Sequence, residues 1–121
     1  MTKSNQPACC LPRPALVKRP LLTSAESNDL ADIFSVLAND TRLRVLHALV
    51  RSGDLSVSEI ADAVEMKPQA VSNQLQRLSD LGVVDSRREG NSIFYRLVDP
   101  CVLSLLDTGL CLMEESRRRK P

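Results

Sequence analysis

The segment from Ser56 to Gly82 carries two helix starts and two helix stops, and this punctuation restricts the fold more than any other feature. Ser56-Val57-Ser58-Glu59 is a capping box, in which the serine hydroxyl and the glutamate carboxylate each satisfy an amide that a first helical turn leaves unpaired. Behind it Ile60, Ala61 and Val64 recur on one side of a short helix. Glu65-Met66-Lys67 interrupts the pattern, and Pro68 then stands in a first helical turn, where its missing N–H costs nothing. The second helix runs through Leu81 and stops at Gly82. Two helices joined by a turn of about three residues form a helix-turn-helix candidate.

Upstream, Thr23-Ser24-Ala25-Glu26 repeats the capping-box pattern and opens a helix to about Leu37, with Leu30, Ile33, Phe34 and Leu37 along one face. Asn39-Asp40 caps the next helix, where Leu43, Leu46 and Val50 keep helical spacing until Ser52-Gly53-Asp54 ends it. His47 falls on the side of this helix expected to face the core, which favours a structural histidine over a catalytic one. Downstream, Val83 to Arg87 and Ile93 to Leu97 flank Arg88-Glu89-Gly90-Asn91-Ser92, whose Gly-Asn pair signals the turn of a β-hairpin. Asp99-Pro100 starts a last helix, Cys101 to about Arg118, along which Leu103, Leu106, Leu110 and Met113 recur. The expected fold is mainly α with a β-hairpin wing (α+β), in the order α-α-α-α-β-β-α, over residues 23–118. Residues 1–22 hold four of the seven prolines and no periodicity, so they read as an extended N-terminal arm.

A chain of 121 residues supplies one hydrophobic core. With two Phe, one Tyr and no Trp, that core is left to Leu, Val, Ile and Ala, and a small aliphatic core gains stability by dimerising. A net charge of +1 excludes a uniformly basic coat, so any DNA contact rests on clusters at Lys18-Arg19, Arg87-Arg88 and Arg117 to Lys120. No apolar run reaches the roughly 18 residues of a membrane span, and no signal-peptide core is evident, so a cytoplasmic protein without a membrane partner is expected. In that reducing compartment four cysteines point to metal binding or redox chemistry rather than structural disulfides.

In the second helix of the helix-turn-helix, Val71, Leu75 and Leu78 share one face, while Gln69, Ser72, Asn73 and Gln76 recur on the other at i, i+3, i+4 and i+7. Asn and Gln bond adenine edges bidentately and Ser bonds either base type, so this is a chemically suitable major-groove surface. An ordinary solvated face favours Lys and Glu, and here no acid stands between Gln69 and Ser79 to repel phosphate. In the hairpin, Arg87, Arg88 and Arg96 suit the backbone or minor groove alongside and position the protein more than they specify sequence. Ser58, Arg42 and Arg44 are secondary phosphate candidates whose roles are as readily structural.

Three stretches carry a family resemblance: Ala38-Asn39-Asp40-Thr41-Arg42-Leu43-Arg44-Val45-Leu46, Ser58-Glu59-Ile60-Ala61, and Val71 to Leu78 followed by Gly82-Val83-Val84. Through them residues 27–98 resemble the ArsR/SmtB family of bacterial metal-sensing repressors. The resemblance implies a winged helix-turn-helix, a homodimer joined through the first and last helices, and double-stranded operator DNA released when an inducing ion binds. It implies no further protein partner and does not identify the ion.

Thiolates favour soft ions such as Zn(II), Cd(II), Pb(II), Hg(II) and As(III). The family's Cys-Val-Cys in the third helix is missing, since Leu55-Ser56-Val57-Ser58 occupies that region. The family's other pattern, Asp-x-His and His-x-x-Glu on the last helix, is matched only at Asp99 and Glu115, with Cys101 where a histidine would stand. Cys101 and Cys111 are about 15 Å apart along one helix, too far to share an ion within one subunit. The adjacent Cys9-Cys10 resembles the N-terminal vicinal pair of some arsenic- and cadmium-responsive members, whose arm reaches a second subunit. The expected metal site is therefore intersubunit, from Cys9 and Cys10 with Cys101, Cys111 or both. Three thiolates suit trigonal-pyramidal As(III), the favoured inducer, and four suit Cd(II), Pb(II) or Zn(II).

Each thiol also has a plainer reading: Cys111 as an interface residue, Cys101 as incidental, Cys9-Cys10 as part of an inert tail. An alternative function is a thiol-redox-sensing repressor of the same fold, disfavoured because a vicinal pair bridges only with strain. A catalytic role is not expected: the chain has one His, no Cys-x-x-Cys loop and no glycine-rich phosphate cradle. A helix-turn-helix serving only protein interaction is argued against by the carboxylate-free face.

Overall fold

The computed structural model describes residues 12–119. The arm was expected to be extended, but Leu16–Lys18 form one 3-10 turn, with Lys18 N–H donating to Ala15 O at 2.9 Å. Helix α1 (Ser24–Leu37) starts where its capping box requires, with Glu26 N–H on Thr23 Oγ1 at 3.1 Å and Thr23 N–H on Glu26 Oε1 at 3.0 Å. Asn39 Oδ1 accepts from Arg42 N–H at 3.0 Å to begin α2 (Asp40–Ser52), which closes at Gly53 in a positive-φ conformation. A second reciprocal box, Ser56 with Glu59, opens α3 (Val57–Val64). Helix α4 (Pro68–Asp80) begins on proline, after a turn in which Glu65 adopts the left-handed conformation. The last helix, α5 (Pro100–Arg119), is capped by Asp99, whose Oδ1 accepts from Cys101 N–H at 2.8 Å.

The strands differ from expectation in two ways. The hairpin is longer, with β2 (Val84–Glu89) and β3 (Ser92–Leu97) pairing from Val84↔Leu97 to Glu89↔Ser92, so only Gly90 and Asn91 form the turn. It is also part of a three-stranded antiparallel sheet, because β1 (Leu55–Ser56) pairs with the other edge of β3 through Leu55↔Tyr95 and Ser56↔Phe94. A two-residue strand leaves no periodicity to read; pairing with a distant strand defines it.

The core lies between α2, α3, α4 and the base of the hairpin. Val45, Leu46 and Leu49 meet Ile60, Ala61 and Val64, then Val71, Leu75 and Leu78, with Val83 and Val84 at the sheet end. Two expectations for α2 need correcting: Leu43 and Val50 are largely exposed, and His47 is exposed rather than in the core. The buried face of α2 is rotated towards Val45 and Leu49, since α3 and β3 pack on that side.

The outer helices contribute little to this core. α1 buries no residue and α5 buries only Val102. Phe34 and Ile33, on the apolar face expected for α1, remain 48% and 46% exposed. Together with α2 and α5 they leave an apolar groove of about 680 Å³, lined by Phe34, Leu43, His47, Leu105 and Leu110 among others.

Candidate functional site

Helix α4 is polarised as its sequence predicts. Val71, Leu75 and Leu78 are fully buried, while Gln69, Asn73 and Gln76 are exposed and Ser72 is half-buried beside them. The outward amides are not independent of one another. Gln69 Nε2 donates to Asn73 Oδ1 at 3.2 Å, and Gln76 Nε2 donates to Asp80 Oδ1 at 3.0 Å, one helical turn on in each case. Each bond fixes a side-chain plane while leaving amide donor and acceptor capacity outward.

The strand register divides the wing arginines. Asp85, Arg87 and Glu89 alternate onto one face of β2, opposite Arg96, Phe94 and Ser92 of β3. On that face Arg87 pairs with Asp54 at 3.1 Å and Glu89 at 3.2 Å, and lies 4.8 Å over the Phe94 ring. The hydrogen bond that Arg87 donates to Asp54, followed by that to Glu89, raises the pKa of Arg87 above its ordinary value, so its charge is permanent and already matched. Arg96 reaches Asp85 at 3.9 Å, a loose exposed pair. Arg88 alternates to the other face beside Ile93 and enters no ion pair among the described residues. The sequence showed three equivalent hairpin arginines; strand register separates Arg88 from the other two, and the loop before β1 adds Asp54 to Arg87 alone.

The secondary phosphate candidates also divide. Arg42 bonds Gln74 and the Val36 carbonyl, and Arg44 Nη1 donates to Val64 O at 3.2 Å near the end of α3. Ser58 stays exposed in the first turn of α3.

Of the thiols, Cys101 is half-buried in the first turn of α5 and Cys111 is exposed further along it. Cys9 and Cys10 lie outside the described residues. Among the described residues no cluster of three His, Cys, Asp or Glu side chains is placed to hold a metal ion. The two residues that match the family's metal pattern are engaged elsewhere: Asp99 caps α5, and Glu115 pairs with Arg118.

The profile of the MarR family matches residues 39–92, from the cap of α2 to the start of β3. The transcriptional repressor SmtB homolog of Synechocystis is 33% identical over 105 residues, covering 87% of this chain and 79% of that protein. The protein belongs to the ArsR/SmtB family. Members of this family are metal-responsive winged-helix regulators of transcription, not enzymes. Among solved structures, the AntR antimony-specific transcriptional repressor is 58% identical with a TM-score of 0.77, over 91% of this chain and 99% of that one. The winged helix-turn-helix DNA-binding domain of Mb0332 from Mycobacterium bovis, described as homodimeric, is 28% identical with a TM-score of 0.70, over 87% and 96% of the two chains. Within the family fold, α3 and α4 form the helix-turn-helix and β2–β3 the wing. No helix among the described residues is long and apolar enough to cross a membrane.

Proposed function

We propose that the protein is a homodimeric repressor that reads operator DNA through α4 and releases it when a thiophilic metalloid binds its cysteines. One observation carries the DNA reading: α4 sinks Val71, Leu75 and Leu78 wholly into the core and turns Gln69, Asn73 and Gln76 outward with no carboxylate before Asp80. With Ser72, these side chains offer the amide and hydroxyl groups that bond base edges in a major groove. Arg88 is the wing's phosphate contact, and Arg87, braced by Asp54 and Glu89, holds the wing in place. The two α4 helices of a dimer would enter successive major grooves about 34–36 Å apart.

A second copy of the chain covers the groove between α1, α2 and α5. The groove's apolar lining and the homodimeric state of the Mb0332 domain support this. The inducer site is placed between subunits because Cys101 and Cys111 stand about 15 Å apart along α5. Cys9 and Cys10 join them from the arm. Cysteines drawn together across this interface pin the arms and last helices in a geometry that no longer fits the groove spacing. Three thiolates fit a trigonal-pyramidal ion, and the 58% identical repressor is antimony-specific, which sets Sb(III) beside As(III) and ahead of Cd(II), Pb(II), Hg(II) and Zn(II). The protein acts in the cytoplasm.

The test is fluorescence anisotropy of the reduced protein on the promoter DNA of its own gene, titrated with each of these ions. Sb(III) or As(III) is expected to weaken binding by up to about 150-fold. Serine at Cys9 and Cys10, or at Cys101, should abolish that release and leave DNA binding intact. Tight binding that no ion disturbs would refute the metalloid switch, and release by peroxide alone would replace it with thiol oxidation.

A further inference from the structure

We propose that Arg42 is a positioning residue that ties the reading helix α4 to the outer helix α1, so that the angle of α4 on DNA follows the state of α1. The proposal rests on α4 being the helix that reads DNA. Arg42 lies in the first turn of α2, at the corner where α1 ends. Its guanidinium donates in two directions, from Nε to Gln74 Oε1 at 2.6 Å and from Nη1 to the Val36 carbonyl at 2.8 Å, both part-buried. The Val36 carbonyl is one of the last four of α1, which lack helical partners and sit at the negative end of the helix dipole. Gln74 lies on α4 directly after Asn73 and two residues before Gln76, on the flank between the buried face and the outward one.

Among the described residues, α1 reaches the core shared with α4 through Val36 and Leu37 at its last turn. α4 packs on α3 and β2, and α1 is not among its main partners. Apolar packing is non-directional, so it holds these helices against a common core but does not fix the angle of α4 to α1. A guanidinium can, because its planar fork fixes the direction of each N–H, whereas a lysine ammonium is a point charge on a flexible stem. Hydrogen bonds weaken steeply outside a narrow range of length and angle. A shift of α1 by about 1–2 Å, the size of helix movements at switching interfaces, must either break one of the two bonds or drag Gln74 with it. The same contacts explain why Arg42, a phosphate candidate from sequence, has two of its donors already committed.

The experiment compares the full chain with Arg42→Met, Gln74→Met, the double variant and Arg42→Lys. Affinity for the gene's own promoter duplex and for a scrambled duplex is measured by anisotropy at several salt concentrations. Light scattering and circular dichroism check assembly and folding. The tether predicts that each Met variant stays folded and assembled yet loses at least about tenfold in promoter affinity, the range of a hydrogen bond to a charged group. Scrambled-duplex affinity and the salt slope should stay as in the unmodified protein. The double variant should lose no more than the weaker-binding single one, and Arg42→Lys should not rescue. If Arg42→Met fails to fold, Gln74→Met decides alone. Unchanged promoter affinity, additive losses or rescue by lysine would overturn the tether. Equal loss on both duplexes with a salt slope shallower by about 0.9 would also overturn it, marking Arg42 as a phosphate contact instead. If the unmodified protein shows no preference for its promoter, the DNA reading of α4 fails and takes the tether with it; a preference that is undiminished in Gln74→Met removes the tether alone.

Discussion

At the scale of single residues, the charges on the wing show how little a residue type says without its neighbours. Arg87 and Arg88 are adjacent in sequence but face opposite sides of the hairpin, one matched by two carboxylates and the other matched by none among the described residues. Arg88→Ala should therefore weaken binding to specific and scrambled duplexes alike and make the salt slope shallower by about 0.9. Arg87→Ala should leave that slope unchanged while lowering promoter affinity, because the wing loses its hold on Asp54. Anisotropy across a salt series separates the two. Capping residues are more transparent, because a hydroxyl three positions before a carboxylate makes its bonds locally. Ser56→Ala, which removes the acceptor for Glu59 N–H, should cost about 1 kcal/mol in a urea denaturation midpoint.

At the scale of elements, the helix-turn-helix is held by side chains with no exposure to water, and its stability is sensitive to small changes in volume. Leu75 of α4 and Leu46 of α2 are both 0% exposed. Truncating Leu75 to Ala should destabilise the protein by about 2–5 kcal/mol, read from denaturant unfolding, since the cavity adds to the lost burial. The hairpin depends on its turn instead. Gly90 sits at φ +64°, a conformation that side chains with a Cβ adopt only with strain. Gly90→Val should destabilise the turn and reduce DNA affinity through the wing, with the α4 core unaffected by near-ultraviolet or NMR criteria.

At the scale of the whole molecule, a single chain leaves an apolar groove uncovered. Phe34, Leu105 and Leu110 are all at least 40% exposed along the groove between α1, α2 and α5. An exposed apolar patch of this kind marks an interaction surface. Leu105→Glu should yield a monomer by light scattering at micromolar concentration. It should also bind promoter DNA much more weakly, since one α4 then engages one half-site. His47 belongs to the same surface, which explains why a residue in the middle of a helix is neither in the core nor in a catalytic cleft.

What the sequence determined by itself was the set of local decisions. Capping boxes at Thr23 and Ser56, Pro68 at a helix start and Gly90-Asn91 at a turn act within a few residues, so they place three helices and a hairpin without reference to the rest of the chain. The division of α4 into a core face and an outward polar face was legible for the same reason, as helical periodicity alone sorts its side chains. Tertiary structure decided what depends on distant partners. It rotated the buried face of α2 towards Val45 and Leu49, made Leu55-Ser56 a strand by pairing it with β3, and brought Asp54 to Arg87 and Gln74 to Arg42. Those contacts join positions more than thirty residues apart, and no local pattern encodes which of several chemically equivalent arginines will find a partner.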